Sequence, residues 1–314
     1  MAEEVAAAGV YADLGELARL EYKASGFSFL PRQPVQSLLT GRHASRLRGR
    51  GLNFEEIRRY LPGDDIRTID WRITQRTGKP HVRVFTEERD RPAILCVDQR
   101  LSMFFGSRRA MKSVTAAELA ALSAWRVFAG GDRVGALVFN DAGIEEIGPH
   151  RSRRRVMRIL DTVTRMNREL RVDAGIEANP GMLNQVLEKA ARLAVHDHLV
   201  CLISDFSGFD DHSQRLLTRI AAHNDVIAAL LYDPIKLDMP EAGRLVVSDG
   251  ELQLELDSGR GRMRKRVSDF FDEQLQSIKD GLGRVGVPVL LIHTAEDPAV
   301  QIRRLLGYAP GRRG

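Results

Sequence analysis

Two textures follow one another along the chain. Upstream of residue 91, apolar positions are scattered among turns. Downstream, short unbroken apolar runs at 93–97, 133–139, 198–204, 226–232 and 287–292 alternate with stretches at helical spacing, about 108–129, 151–166 and 181–194, before a terminal helix. Unbroken runs of this kind mark strands buried on both faces, and their alternation with helices predicts an α/β fold: a Rossmann-like, mostly parallel sheet with helices on both faces. Near the start, Leu14, Leu17, Ala18, Leu20 and Tyr22 predict one amphipathic helix over 11–24, closed by the breakers Pro31 and Pro34. Between the two regions Ile69, Trp71 and Ile73 alternate with polar residues, as do Val82 and Val84. These read as short strands of a small β-rich module, with Trp71 in its core. Asp249-Gly250 between two alternating runs is a hairpin signal.

The boundaries that follow are an N-terminal helix and linker over 1–40, a β-rich basic module over 41–90, and the sheet domain over 91–314 with a hairpin insertion near 244–257. A length of 314 residues suits about two domains. No apolar stretch approaches the ~20 residues that span a bilayer, and Met1-Ala2-Glu3-Glu4 lacks the basic start of a leader, so the expected location is cytoplasmic. Cys96 and Cys201 each sit inside an apolar run and are expected to be buried thiols.

Charge changes the picture little. The chain carries a net +5, and residues 42–91 hold 13 Arg and Lys against 8 Asp and Glu. Gly41 to Gly51 is turn-rich and basic, and Pro62-Gly63-Asp64-Asp65 is a turn. The arginines 58, 59, 67, 72 and 76 share their segment with Glu55, Glu56, Asp64, Asp65 and Asp70, and are expected to pair internally; Trp71 with the Pro62 turn is the alternative, a docking surface. Arg151, Arg153, Arg154, Arg155 and Arg158 open a helix, where cations oppose the helix dipole. Without interleaved aromatics or zinc-finger spacing, nucleic acid is not the expected partner.

Candidate chemistry gathers where strands end. Asp98 follows one central run and Asp205 another, and ligands in open α/β sheets collect at the carboxyl ends of strands. There is no phosphate loop, no nucleophile elbow and no zinc-binding helix motif. His196 and His198 flank Asp197, but at the entry of a strand.

The stretch Gly49 to Trp71, GRGLNFEEIRRYLPGDDIRTIDW, resembles the signature of the bacterial domain-of-unknown-function family fifty-eight. Arg76-Thr77-Gly78-Lys79-Pro80, Phe85-Thr86-Glu87-Glu88-Arg89 and Gly130-Gly131-Asp132-Arg133-Val134-Gly135 extend the likeness over residues 40–310. The resemblance implies a von Willebrand factor A-like domain behind the β-rich module. It also implies association with MoxR-type AAA+ ATPases, which act in assembly or maturation of client proteins. The partners to expect are such an ATPase, other von Willebrand A-domain proteins, or the client.

Such domains carry a metal-ion-dependent adhesion site: a D-x-S-x-S loop, a threonine in a second loop and an aspartate in a third. Asp98, Ser102 and Asp205 match this pattern, while Arg100 stands at the first serine and Ala178 to Leu183 supplies no threonine. Two readings stay open. In one, the Arg100 guanidinium replaces the metal and bridges Asp98 and Asp205, so that no cofactor is needed. In the other, Arg100 turns outward and a weak Mg²⁺ site survives on Asp98, Ser102 and Asp205. The expected function is a non-enzymatic adaptor that binds its partner through Asp98, Arg100, Ser102, Asp205 and Ser207, with an exposed part of Arg100 receiving a partner carboxylate. The alternatives are a divalent-metal-dependent hydrolase using Asp98 and Asp205, or a nucleic-acid-binding protein.

Overall fold

A computed structural model describes residues 9–27, 52–61, 66–87, 91–171, 175–234, 244–248, 253–257 and 261–306. In chain order the described elements are α1 (Leu14–Arg19), β1 (Leu52–Arg59), α2 (Trp71–Thr77), β2 (His81–Glu87), β3 (Ala93–Asp98), α3 (Lys112–Ala129), β4 (Val134–Phe139) and β5 (Ile144–His150). There follow α4 (Arg153–Glu169), α5 (Met182–Leu193), β6 (Leu199–Ser204), α6 (Asp211–Ala221), β7 (Asp225–Tyr232), β8 (Arg244–Ser248), β9 (Gln253–Asp257), α7 (Gly261–Arg284), β10 (Val289–His293) and α8 (Pro298–Leu306). They fall into two compact units, Met1–Pro31 with Arg91–Gly314, and Arg32–Asp90.

The larger unit is built on a six-stranded sheet in the order β10-β7-β6-β3-β4-β5, parallel except for β5. Each central strand feeds two cores because neighbouring side chains point to opposite faces. Leu95, Val97, Val138, Cys201 and Ile203 pack with α3, α4 and α8 on one side. Ile94, Cys96, Phe139, Val200 and Leu202 pack with α5, α6 and α7 on the other. The two cysteines are free, buried and directed to opposite faces, and burial raises both thiol pKa values, that of Cys201 to about 12. The apolar runs thus become the predicted doubly covered strands.

The edge strand β5 escapes the sequence pattern. Its residues, Ile144 to His150, include two glutamates, Gly148 and Pro149, and only Ile147 is buried. An outermost antiparallel strand tolerates proline and polar residues because one edge needs no partner. Gly135 on β4 is required there: a Cβ would stand 2.5 Å from the Ile147 carbonyl and 2.7 Å from the Pro149 nitrogen.

The N-terminal segment belongs with the sheet rather than apart from it. Leu17 and Phe27 are buried in the core shared with α3 and α4. Trp125 donates from its indole N–H to the Leu17 carbonyl, and Arg153 lies over the Trp125 ring while pairing with Glu21. A buried relay runs from the Ala12 N–H to Asn167, from Asn167 to Gln99, and from Gln99 to the Ser113 carbonyl.

In the smaller unit β1 and β2 pair antiparallel, Leu52 opposite Glu87 and Arg59 opposite His81. Of the strand expected through Ile69, Trp71 and Ile73, Ile69 bridges antiparallel to Val82, whereas Trp71 and Ile73 belong to the helix α2. Asp70 accepts from the Arg72 and Ile73 N–H groups at 3.0 and 3.1 Å, and Gly78, at φ +68°, closes the other end. A capping aspartate and a left-handed glycine eight residues apart outweigh three alternating apolar positions. Trp71, expected in the core, is 70% exposed.

Hairpin strands β8 and β9 pair as expected, Ser248 opposite Gln253, with Asp249-Gly250 outside the described residues. The basic stretch 41–51 and the turn 62–65 also lie outside them. Among the described residues no helix is long and apolar enough to cross a membrane.

Candidate functional site

The strand order reverses at β3. From it the chain steps to β4 and β5 on one side, then returns to place β6 on the other. Such a switch point opens a crevice at the carboxyl ends of the two strands. Parallel pairing of Val97 with Ile203 sets Asp98 beside Ser204, and Asp205 follows at once. The two acids named from sequence therefore face one site.

Arg100 is folded back onto the acid two residues before it. Its Nε donates to Asp98 Oδ1 at 3.0 Å, its Nη2 to Oδ2 at 2.7 Å, and its backbone N–H to Oδ1 at 3.0 Å. Nη1 donates to the Ser207 carbonyl at 3.0 Å and to the Pro180 carbonyl at 3.4 Å, and the guanidinium lies over the Phe139 ring. Asp205 is reached more loosely, at 3.9 Å from Nη2. Its close partner is Lys112 in the first turn of α3, whose Nζ lies 2.6 Å from Oδ2. Ser102 and the Ser207 N–H donate to Asp205 Oδ1 at 3.3 and 3.0 Å, and Ser204 donates to Asp98 Oδ2 at 2.6 Å.

Two carboxylates and two cations make this interior cluster neutral. Asp98 is 0% and Arg100 1% exposed, while the Lys112 and Asp205 side chains are 7% and 10% exposed. Burial alone would raise the Asp205 carboxyl, but Lys112 first and Arg100 second hold it well below the usual carboxylate range. Burial works against the charged form of Arg100, and Asp98 and Asp205 more than offset it.

The exposed part of Arg100 expected to meet a partner carboxylate is absent: its side chain is enclosed and bonded to Asp98, Ser207 and Pro180. These residues do not fit a divalent ion. The carboxylate oxygens already accept from guanidinium, ammonium, hydroxyl and backbone donors, and a threonine hydroxyl is missing from the second loop. An added divalent ion would also meet two fixed cations, at roughly 4 kcal/mol per pair of unit charges about 4 Å apart in an effective dielectric near 20.

The loops around the cluster are tightly set. Asp141, after β4, accepts from the Leu101 N–H at 2.6 Å and the Asn179 N–H at 2.8 Å, tying three loops together. Phe206 has φ +57°, strained for a bulky residue, and is held by its N–H donating to Ser204 Oγ at 2.8 Å. Gly208 passes so close to Pro180 that a Cβ would stand 2.4 Å from the Pro180 carbonyl oxygen. A third strand-end acid, the buried Asp233 after β7, accepts from the Ser107 N–H and from the hydroxyls of Ser107 and Thr294.

Sequence reasoning missed Lys112, Ser204, Asp141 and Asp233. Lys112 left one signal, a lone charge in the first turn of a helix otherwise uncharged as far as Glu118. Asp233, like Asp98 and Asp205, follows an apolar strand. His196 and Asp197 sit exposed before β6, at the opposite end of the sheet from Asp205. Of the basic run, Arg153 is paired with Glu21, whereas Arg151, Arg154, Arg155 and Arg158 have no carboxylate partner among the described residues.

Comparison with known proteins gives relatives and a family. The chain is 29% identical over 287 residues to the uncharacterized proteins Mb1516 of Mycobacterium bovis and Rv1480 of Mycobacterium tuberculosis, covering 90% of this chain and 87% of theirs. Among solved structures it is similar to the conserved hypothetical protein BatB from Bacteroides thetaiotaomicron, with a TM-score of 0.38 and 11% identity over 68% of this chain and 98% of that one. An aerotolerance-related membrane protein from Bacteroides fragilis matches with the same score and identity, over 68% of this chain and 97% of that one. The model of the family described as Protein of unknown function DUF58 matches residues 56–277, and the chain belongs to that family.

Proposed function

We propose that the protein is a non-enzymatic, cytoplasmic adaptor with a von Willebrand A-like domain, working beside a MoxR-type AAA+ ATPase in assembly or maturation of client proteins. Its partner is bound by the loop surface over Asp98 and Asp205, without a metal ion. The observation that carries this reading is the neutral cluster: each acid at the switch point already holds an internal cation, at 2.7 Å for Asp98 with Arg100 and 2.6 Å for Asp205 with Lys112. In this reading Arg100 and Lys112 set the loops in shape, and the half-buried rim residues Ser102 and Ser207 meet the partner. The strained Phe206 between Asp205 and Ser207 supports it, since such strain collects where a surface is shaped in advance.

A hydrolase would need at least one of these carboxylates to hold a metal or take a proton. Donors already surround both.

Pull-down with the cognate ATPase in chelator tests the proposal. Binding persists in EDTA, and Ser207→Trp, which crowds the rim, weakens it at least about tenfold with the melting temperature unchanged. Loss of wild-type binding on chelation, restored by Mg²⁺, overturns the metal-independent reading.

A further inference from the structure

The helix α2 is seven residues long, too short to persist alone, and it is fixed in place at many points. Asp70 caps its start, and the Asp70 N–H donates to the His81 carbonyl at 2.8 Å. Thr74 Oγ1 accepts from the His81 N–H at 3.0 Å. Thr77 Oγ1 donates to the Ile73 carbonyl at 2.9 Å and lies 3.1 Å from His81 Nδ1. Thr74, Thr77 and Asp70 thus stitch one side of the helix to β2.

The other side carries Trp71, Arg72, Gln75 and Arg76, neighbours at spacings of one, four and five residues. All four are exposed, Trp71 at 70%. Ile66, 66% exposed, lies in the turn just upstream, and Lys79 is exposed just downstream. Neither Arg72 nor Arg76 has a carboxylate partner among the described residues, and Asp64 and Asp65, expected to share in their pairing, lie outside them. Like charges four residues apart destabilise a helix, and a largely exposed tryptophan leaves its apolar area in water. Rigid presentation of a Trp flanked by exposed arginines has the composition of an interface anchor, the residue types in which binding energy concentrates.

We propose that this face of α2 docks an acidic amphipathic segment of a partner protein: apolar side chains cover Trp71 and Ile66, and carboxylates pair with Arg72 and Arg76. Arginine favours this because its fork accepts a carboxylate bidentately. A protein segment is preferred over nucleic acid because Trp71 is the single exposed aromatic of the helix, where single-strand binding uses successive stacking rings.

The chain supplies its own probe. It holds two tryptophans, and Trp125 is 1% exposed, so iodide-accessible fluorescence reports Trp71. The full-length protein is titrated with a short amphipathic Glu/Leu peptide, its Gln/Leu counterpart, duplex DNA, and vesicles of phosphatidylserine in phosphatidylcholine. The Glu/Leu peptide is expected to give a saturable blue shift with loss of iodide quenching. Binding is expected to be about tenfold weaker for the Gln/Leu peptide and for Arg72→Glu with Arg76→Glu. Labelled-peptide anisotropy is expected to show a loss of about thirtyfold for Trp71→Ala, a change at an exposed position that leaves the melting temperature in place. No saturable shift, equal binding of the Gln/Leu peptide, an undiminished response in the double variant, or a response to DNA or vesicles in place of the peptide overturns the proposal.

Discussion

At Asp205, removal from water and proximity to two cations pull in opposite directions, and the cations win. Lys112→Met keeps the length of the side chain and removes the nearer charge. The buried carboxylate is then left with Arg100 at 3.9 Å, and the variant is expected to be less stable by about 3–5 kcal/mol near neutral pH. The sign with pH follows from linkage. A carboxyl whose folded pKa lies below its ordinary 3.8 contributes stability that is present above that value and lost as pH falls toward the folded one. The gap between wild type and Lys112→Met should therefore be widest near neutral pH and narrow below about pH 4. Denaturant melts at both ends of the range measure it, and a gap that does not change with pH would count against the pair. The acids and Arg100 were legible in the sequence because each stands at a fixed distance from the end of an apolar run. Lys112 was not: it meets Asp205 across 93 residues, a convergence that only the packed sheet and α3 create.

Elements were legible where burial alone dictates them and obscure where a local polar contact decides. Strands β3, β4, β6 and β7 are continuous apolar runs because both faces are covered. Helix α2 was misread because Ile69, Trp71 and Ile73 imitate an alternating strand, while its true determinants are the Asp70 carboxylate and the left-handed Gly78. Asp70→Ala removes two hydrogen bonds from the first turn and is expected to destabilise the smaller unit by about 1 kcal/mol. Trp71 fluorescence during denaturant unfolding reads this. Asp70→Asn or Asp70→Ser, which cap as well, should recover most of the loss, and equal destabilisation by all three would show that the cap is not the cause.

For the larger unit, the N-terminal residues complete a core rather than lead into it. Phe27 is fully buried among side chains of the sheet's first helical layer, so Phe27→Ala should lower stability by about 3–5 kcal/mol. Because Leu17, Phe27 and Trp125 share one cluster, the emission of Trp125 should follow a single earlier transition, with no separate melting of the N-terminal segment. An additional low-temperature step that leaves Trp125 emission unchanged would show the segment to be an appendage.

The neutral cluster at the switch point also constrains how such a site can change over generations. Arg100 and Lys112 are counter-ions written into the polypeptide, each held against a strand-end carboxylate. Losing either one alone deprives a buried carboxylate of its nearest cation, which costs more than exchanging a whole ion pair for apolar side chains of the same volume. A change of sequence at this site therefore passes most easily through paired substitutions, since each single step crosses a less stable protein.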